Sequence, residues 1–254
     1  MPRAGARSIA ATVLVGVVVA LTACTGGGPE VRAGILTIFA PPSMTEAVGG
    51  MTQAYSGTYP GVGFETLFEP DSLLAQRVAD GATPDILLAE DPTTLATAGV
   101  TATPAHFARG QLVMAVAAAN PAPPSALADV ARRGLRVALC ARDEPCGRVA
   151  EAVLAAAQVT LPGGAIREAD VRSALRHVTD GSADVALVYR SDALAAGEAV
   201  RMVEMPESVA ALADLVAVVP DGAPLPDVAR NFLDYLTSTP VMDALTRDGF
   251  RPPA

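Results

Sequence analysis

The chain is 254 residues long, enough for one large domain or two lobes of about 100 residues each. Hydrophobic residues make up 51% and charged residues 18%, which supplies a sizeable core and excludes wholesale disorder. All 18 basic residues are Arg, so a Walker-type phosphate loop, a Schiff-base Lys and a Ser-Lys acylase are excluded; the formal charge of −9 leaves no phosphate-neutralising surface for nucleic acid.

Residues 1–7 carry Arg3 and Arg7 and no acid, and residues 8–21 are almost purely apolar. That run is short for a membrane span, which takes about 20 residues, and has the length of a signal-peptide core. It closes on Leu21-Thr22-Ala23-Cys24, followed by Gly26-Gly27-Gly28. An apolar residue, two small residues and Cys form the pattern of a bacterial lipoprotein signal, in which the thiol is diacylglycerated and the peptide is cut before it. The expectation is a signal peptide at 1–23, a lipid anchor on Cys24 and a Gly-rich tether across 24–34, holding the protein extracytoplasmically at the cell membrane. Ordinary secretion, with Cys24 incidental, is the alternative. Cleavage removes two of the 18 Arg and leaves 16 against 27 acids, so the exported part is the more acidic.

From Ile35 onward short apolar runs alternate with longer periodic ones, the pattern of α/β layers. Strands are expected at 36–40, 62–68 and 86–89. Pro41-Pro42 ends the first strand, and Ser43 is placed to cap a helix running to about residue 55. Asp71 or Ser72 is placed to cap a helix over 73–79, and Asp91-Pro92 to open another. The apolar run 111–118 suits a strand crossing between lobes, and the Pro-rich stretch 120–124 marks a boundary. A second series gives strands at 136–139 and 185–189, helices at 148–158 and 169–179, a return strand at 216–219, and closing helices at 227–236 and 241–248. The fold class is α/β with two lobes, each a sheet flanked by helices: residues 35–112 with 216–254, and residues 113–215. Ligand is expected in the cleft between them, outside the carboxyl ends of the strands.

Several stretches, in order, resemble the substrate-binding protein of molybdate ABC importers. They are Thr37-Ile38-Phe39-Ala40-Pro41-Pro42-Ser43-Met44-Thr45, Ser72-Leu73-Leu74-Ala75-Gln76-Arg77-Val78-Ala79-Asp80-Gly81, Ala82-Thr83-Pro84-Asp85-Ile86, Ala169-Asp170-Val171-Arg172, Leu187-Val188-Tyr189-Arg190-Ser191-Asp192-Ala193 and Gly249-Phe250. The resemblance spans about residues 35–252. It implies a type II periplasmic-binding-protein-like fold closing on a tetrahedral oxyanion, molybdate or tungstate, held by hydroxyls and backbone N–H groups. Carried over motif by motif, Ser43 matches the first hydroxyl donor, Cys146 and Val171 match backbone donors, and Tyr189 matches the tyrosine. Independently, Ser43, Cys146-Gly147 and Asp170-Val171 each fall at an expected helix N-terminus, which offers unpaired N–H groups and about half a positive charge. No cofactor is implied, no metal is held directly by the protein, and the partners are an ABC permease, the oxyanion and, through the lipid, a membrane. A monomer is expected.

The second hydroxyl donor departs from the pattern, because direct alignment puts Asp71 where the resemblance implies a ligand-touching Ser. A carboxylate about 4 Å from an anion costs about 4 kcal/mol per charge pair at an effective dielectric of 20, against about 8 kcal/mol for micromolar binding. Either Ser72 takes over while Asp71 turns outward as an N-cap, or Asp71 faces the cleft and the solute is a different small molecule, or the carboxylate joins the coordination or is protonated. Cys140 and Cys146 flank five residues and, in an exported protein, are expected to form a disulfide. His106 is expected in a loop and His177 late in a helix, with no Gly-x-Ser-x-Gly nucleophile to pair with. Glu90-Asp91 and Asp143-Glu144 read as solvated loops. No catalytic pair is apparent, so the function expected is binding and hinge closure with no bond chemistry. A non-binding surface lipoprotein is the reading from a different class.

Overall fold

In the computed structural model, which describes residues 34–161 and 164–254, ten strands and eight α-helices alternate along the chain. The expected signal peptide, Cys24 and all but the last residue of the tether lie outside the described residues. β1 (Gly34–Ala40) lies parallel to β2 (Val62–Phe68) and to β3 (Ile86–Ala89), with Ile38 opposite both Thr66 and Ile86. β10 (Ala213–Val218) runs antiparallel to β3 and to β4 (Ala105–Gly110), giving a five-stranded sheet ordered β2-β1-β3-β10-β4. The second five-stranded sheet is ordered β7-β6-β8-β5-β9. Its members are β5 (Leu112–Ala117), β6 (Val137–Cys140), β7 (Ile166–Glu168), β8 (Val185–Tyr189) and β9 (Val200–Val203). Here too three strands are mutually parallel and the fourth, β5, is antiparallel to its neighbours. The interior strands are buried along almost their whole length because helices cover both faces.

Helices follow most of the parallel strands: α1 (Thr45–Thr58), α2 (Asp71–Ala79), α3 (Pro92–Thr97), α4 (Pro145–Ala156), α5 (Val171–Thr179) and α6 (Arg190–Ala195), with α7 (Pro226–Leu236) and α8 (Thr239–Arg247) closing the chain. Tyr55 of α1 packs edge-on against Phe232 of α7, ring centroids 5.0 Å apart, and joins the closing helices to the first sheet. Gln111 alone separates β4 from β5, so the chain passes from one sheet to the other within a single residue. The Gln111 side chain donates from Nε2 to Ser208 Oγ at 2.7 Å, tying this crossing to the return segment between β9 and β10. Among the described residues no helix is long and apolar enough to cross a membrane.

Several local expectations are corrected. Ser43 caps no helix; it sits in a single 3₁₀ turn (Pro42–Met44), and α1 begins two residues later. Asp71 and Ser72 are the first residues of α2, whose N-cap is Pro70 with no side-chain cap. Pro fits the start of a helix because the N–H it lacks has no intrahelical acceptor there. His106 lies in β4, not a loop, and its Nδ1 is 2.9 Å from Asp214 of the neighbouring strand. Strands β4, β7 and β9 and helix α6 are additional to the expected elements; α4 starts at Pro145 rather than at residue 148.

Candidate ligand site

Each expected ligand residue stands just after, or at, the carboxyl end of a parallel strand. Ser43 follows β1 and Asp71 and Ser72 follow β2; Cys146 follows β6, Val171 follows β7, and Tyr189 ends β8. Open α/β sheets collect ligand residues at such ends, where helix N-termini also point.

The group at the centre is one the sequence places in a solvated loop. Glu90, directly after β3, is 4% exposed and receives two hydroxyls, one from each sheet's half of the molecule. Ser43 Oγ donates to Glu90 Oε1 at 2.6 Å, and Tyr189 OH donates to Glu90 Oε2 at 2.9 Å. Burial is the main reason the Glu90 carboxyl is pushed up to about 7; the two hydroxyl donors pull the other way, and Asp192 and Glu144 add repulsion. Tyr189 is likewise held well above its ordinary value, first by burial and then by the Glu90 charge.

Asp71 does not turn outward. It is 3% exposed, and its Oδ2 accepts from the Glu90 backbone N–H at 3.0 Å and from Thr94 Oγ1 at 2.7 Å. Its Oδ1 is buried with no partner among the described residues. Burial, then the neighbouring Glu90, raises its carboxyl well above the usual range. Ser72 is exposed: its hydroxyl donates to Glu144 Oε1, and its backbone N–H lies 3.4 Å from Glu144 Oε2. Glu144, which precedes α4, is 5% exposed, with burial raising its carboxyl too. Of the two acid pairs expected to be solvated, Glu90 and Glu144 are therefore buried; Asp91 is partly exposed and Asp143 exposed.

The second sheet's side of the site adds neutral donors beside the buried carboxyls Glu144 and Asp192. Cys140 and Cys146 are joined by a disulfide with Cα atoms 5.7 Å apart, and this clamps the turn leading into α4. The turn is so tight that a Cβ at Gly147 would sit 1.7 Å from the Ala141 carbonyl oxygen. Cys146 and Gly147 thus lie in the first turn of α4, where N–H groups have no intrahelical acceptor. Val171 opens α5, capped by Asp170, whose Oδ1 accepts from Ser173 N at 2.9 Å. The Tyr189 ring reaches its place by passing Gly110, where an added Cβ would be 3.0 Å from it.

Ion pairs ring this interior. Arg148 of α4 donates to Asp91 Oδ2 at 2.8 Å, and Arg172 of α5 pairs with Glu46 of α1 while its Nε lies 3.3 Å from Asp192 Oδ1. Asp192, wholly buried in the first turn of α6, is pushed up to about 7, mainly by burial. Among the described residues no group of three or more His, Cys, Asp or Glu side chains is arranged to hold a metal ion. The one sequence signal for Glu90 was its position: an acid directly after the apolar strand Ile-Leu-Leu-Ala, at the strand end where ligands gather.

Two α/β lobes that present donors to one interior point from the carboxyl ends of their parallel strands define a two-lobed solute-binding protein of the periplasmic type. Residues 36–251 match the family described as bacterial extracellular solute-binding protein, and the chain belongs to that family. The Molybdate-binding protein ModA of Mycobacterium tuberculosis and that of Mycobacterium bovis are each 31% identical to it over 235 residues, covering 91% of this chain and 90% of the relative. Among solved structures, the sulfate-binding protein SubI of Mycobacterium tuberculosis aligns with a TM-score of 0.75, 18% identity and 86% of each chain covered. The periplasmic molybdate-binding protein of Azotobacter vinelandii aligns with a TM-score of 0.72 and 16% identity, over 86% of this chain and 100% of that one. At such identities the two structures speak to the fold.

Proposed function

We propose that the chain is the extracytoplasmic solute-binding component of an ABC importer, held at the membrane by acylated Cys24, that captures molybdate or tungstate between its lobes and delivers it to the permease. The lobes, residues 35–112 with 216–254 and residues 113–215, close on the ligand about the crossings at Gln111 and between β9 and β10. No bond is made or broken. The observation that carries this reading is the convergence of Ser43 and Tyr189, from different sheets, on the two oxygens of one buried anion. A hydroxyl pair already arranged to donate to one carboxylate suits the oxygens of a free oxyanion. The first-turn amides at Cys146, Gly147 and Val171 add uncharged donors and favourable helix dipoles. The relatives at 31% identity support the same solute class.

A second reading, a small solute other than a dianion, is favoured by one specific observation: Asp71 and Glu90 lie side by side in the interior. Isothermal titration of the mature chain with molybdate, tungstate and sulfate separates the two. Binding of molybdate and tungstate ahead of sulfate supports the first reading; silence toward all three, with a cooperative melt, overturns it.

A further inference from the structure

Every hydroxyl carries one proton to donate, and both hydroxyls at the centre of this site already donate to Glu90. An oxyanion that takes the same two hydrogen bonds has to take them from that carboxylate. We propose that Glu90 is a tethered competitor for the ligand, so that an oxyanion enters only as Glu90 takes up a proton and releases Ser43 and Tyr189. The inference rests on the oxyanion reading and deepens it by naming a specificity-determining residue.

Its surroundings leave Glu90 little alternative. Its backbone N–H is held by Asp71 of α2, which fixes the start of the side chain. The titratable groups facing it are Asp71, Glu144 before α4, Asp192 of α6 and Tyr189 at the end of β8, none of them a cation. The nearby arginines are engaged elsewhere, Arg148 by Asp91 and Arg172 by Glu46 and Asp192. A carboxylate that stayed ionised beside a bound dianion would therefore add repulsion with no compensating charge. With a proton from solvent it becomes neutral, turns into a weaker acceptor that the oxyanion can outcompete, and offers an O–H that can donate to the ligand. Burial already raises its carboxyl to about 7, so the proton is available near neutral pH.

The test is titration of the mature chain with sodium molybdate between pH 6 and pH 9, in buffers of different ionisation enthalpy, for wild type, E90Q and E90A. Wild type is expected to lose affinity by about tenfold per pH unit above neutrality, with about one proton taken up per ligand bound. If only the protonated fraction is competent, E90Q and E90A bind about 100-fold more tightly than wild type at pH 9, and their affinities are nearly flat with pH. Wild-type affinity that is equal at pH 6 and pH 9, or variants that melt cooperatively yet gain nothing at pH 9, overturns the competitor role and leaves the oxyanion reading standing. If wild type and both variants are silent toward molybdate, tungstate and sulfate at every pH, the oxyanion reading itself falls, and the inference with it. The wild-type pH profile and proton count need no variant, so the outcome is decided even if a substitution impairs folding.

Discussion

The two sheets are built alike, and the ends they present to each other are not. Each has three parallel strands and then an antiparallel fourth, and each delivers its site residues from the carboxyl ends of the parallel set. The second sheet's end offers first-turn amides at Cys146, Gly147 and Val171 and the Tyr189 hydroxyl, and it also carries two buried carboxyls, Glu144 and Asp192, to which neither Ser43 nor Tyr189 donates. The first sheet's end supplies Ser43 and then two buried carboxyls, Glu90 and Asp71, joined through a backbone hydrogen bond. On the proposed reading, shared topology sets where ligand contacts can be made, while Glu90 and Asp71 decide which ligand is admitted. The family likeness belongs to the first statement, and the acids to the second.

The largest expected effect lies on the second sheet's side. Gly147→Ala puts a Cβ 1.7 Å from the Ala141 carbonyl oxygen, a backbone atom in a turn already closed by the Cys140–Cys146 disulfide. A flexible side chain gives way to such a clash; this turn has no such freedom, and overpacking at backbone contact exceeds the ordinary cost of about 1–3 kcal/mol. We expect a loss of at least about 3 kcal/mol in urea unfolding, together with loss of ligand binding. A variant as stable as wild type means that the turn is not the rigid frame on which the amides depend.

The difference between the two ends also explains what could be read from the sequence. Strands β2 and β3 were legible to the residue: Ile-Leu-Leu-Ala is an uninterrupted apolar run closed by an acid, and Val-Gly-Phe-Glu-Thr-Leu-Phe, rich in strand-forming residues, is closed by Glu69-Pro70. β7 and β9 were not: they are short edge strands, and Ile-Arg-Glu and Val-Arg-Met-Val acquire their pairing only from β6 and β5. On the second sheet's side, helix starts and the disulfide stood out as local patterns, and Tyr189 was singled out by the family resemblance. Glu90 stood out in neither way. An acid followed by Asp91-Pro92 resembles a solvated helix start, and what buries it is Tyr189, 99 positions further along the chain. For Asp71 the sequence left three orientations open; with Pro70 taking the N-cap, the helix starts two residues earlier than expected and the Asp71 side chain turns inward.

The acids should dominate the pH dependence of stability. Glu90 is raised from 4.5 to about 7, and Asp192 from 3.8 to about 7, both chiefly by burial. For an acid whose folded value is raised, the stabilising contribution is complete below the unfolded value and is lost as pH rises through the folded one. At about 1.4 kcal/mol per unit, Glu90 alone removes about 3 kcal/mol between pH 4.5 and pH 8. Glu69, Asp91, Glu151, Asp180 and Asp184 are shifted downward, so their opposite contributions fall below this window. Urea-unfolding free energies at pH 5, 6, 7 and 8 should fall steadily, and E90Q should flatten the fall. A stability that stays level or rises from pH 5 to pH 8 removes the basis for treating the buried acids as destabilising, and a fall that E90Q leaves unchanged assigns it to Asp192 instead of the first sheet's end.

The smallest effect is expected where the two ends meet at the rim. Arg148, from the second sheet's half, reaches Asp91 and the Asp143 carbonyl, but its side chain is 42% exposed and that of Asp91 28%. Water and salt screen such a pair, so Arg148→Ala should cost less than about 1 kcal/mol in stability at 0.15 M salt. The contrast with Glu90 is the informative part, because both residues join the two halves by a hydrogen bond near 2.9 Å and only one does so out of water. If Arg148→Ala in urea unfolding costs as much as the pH-dependent contribution of Glu90, the halves are held together at the rim, and the interior acids do not decide how the cleft behaves.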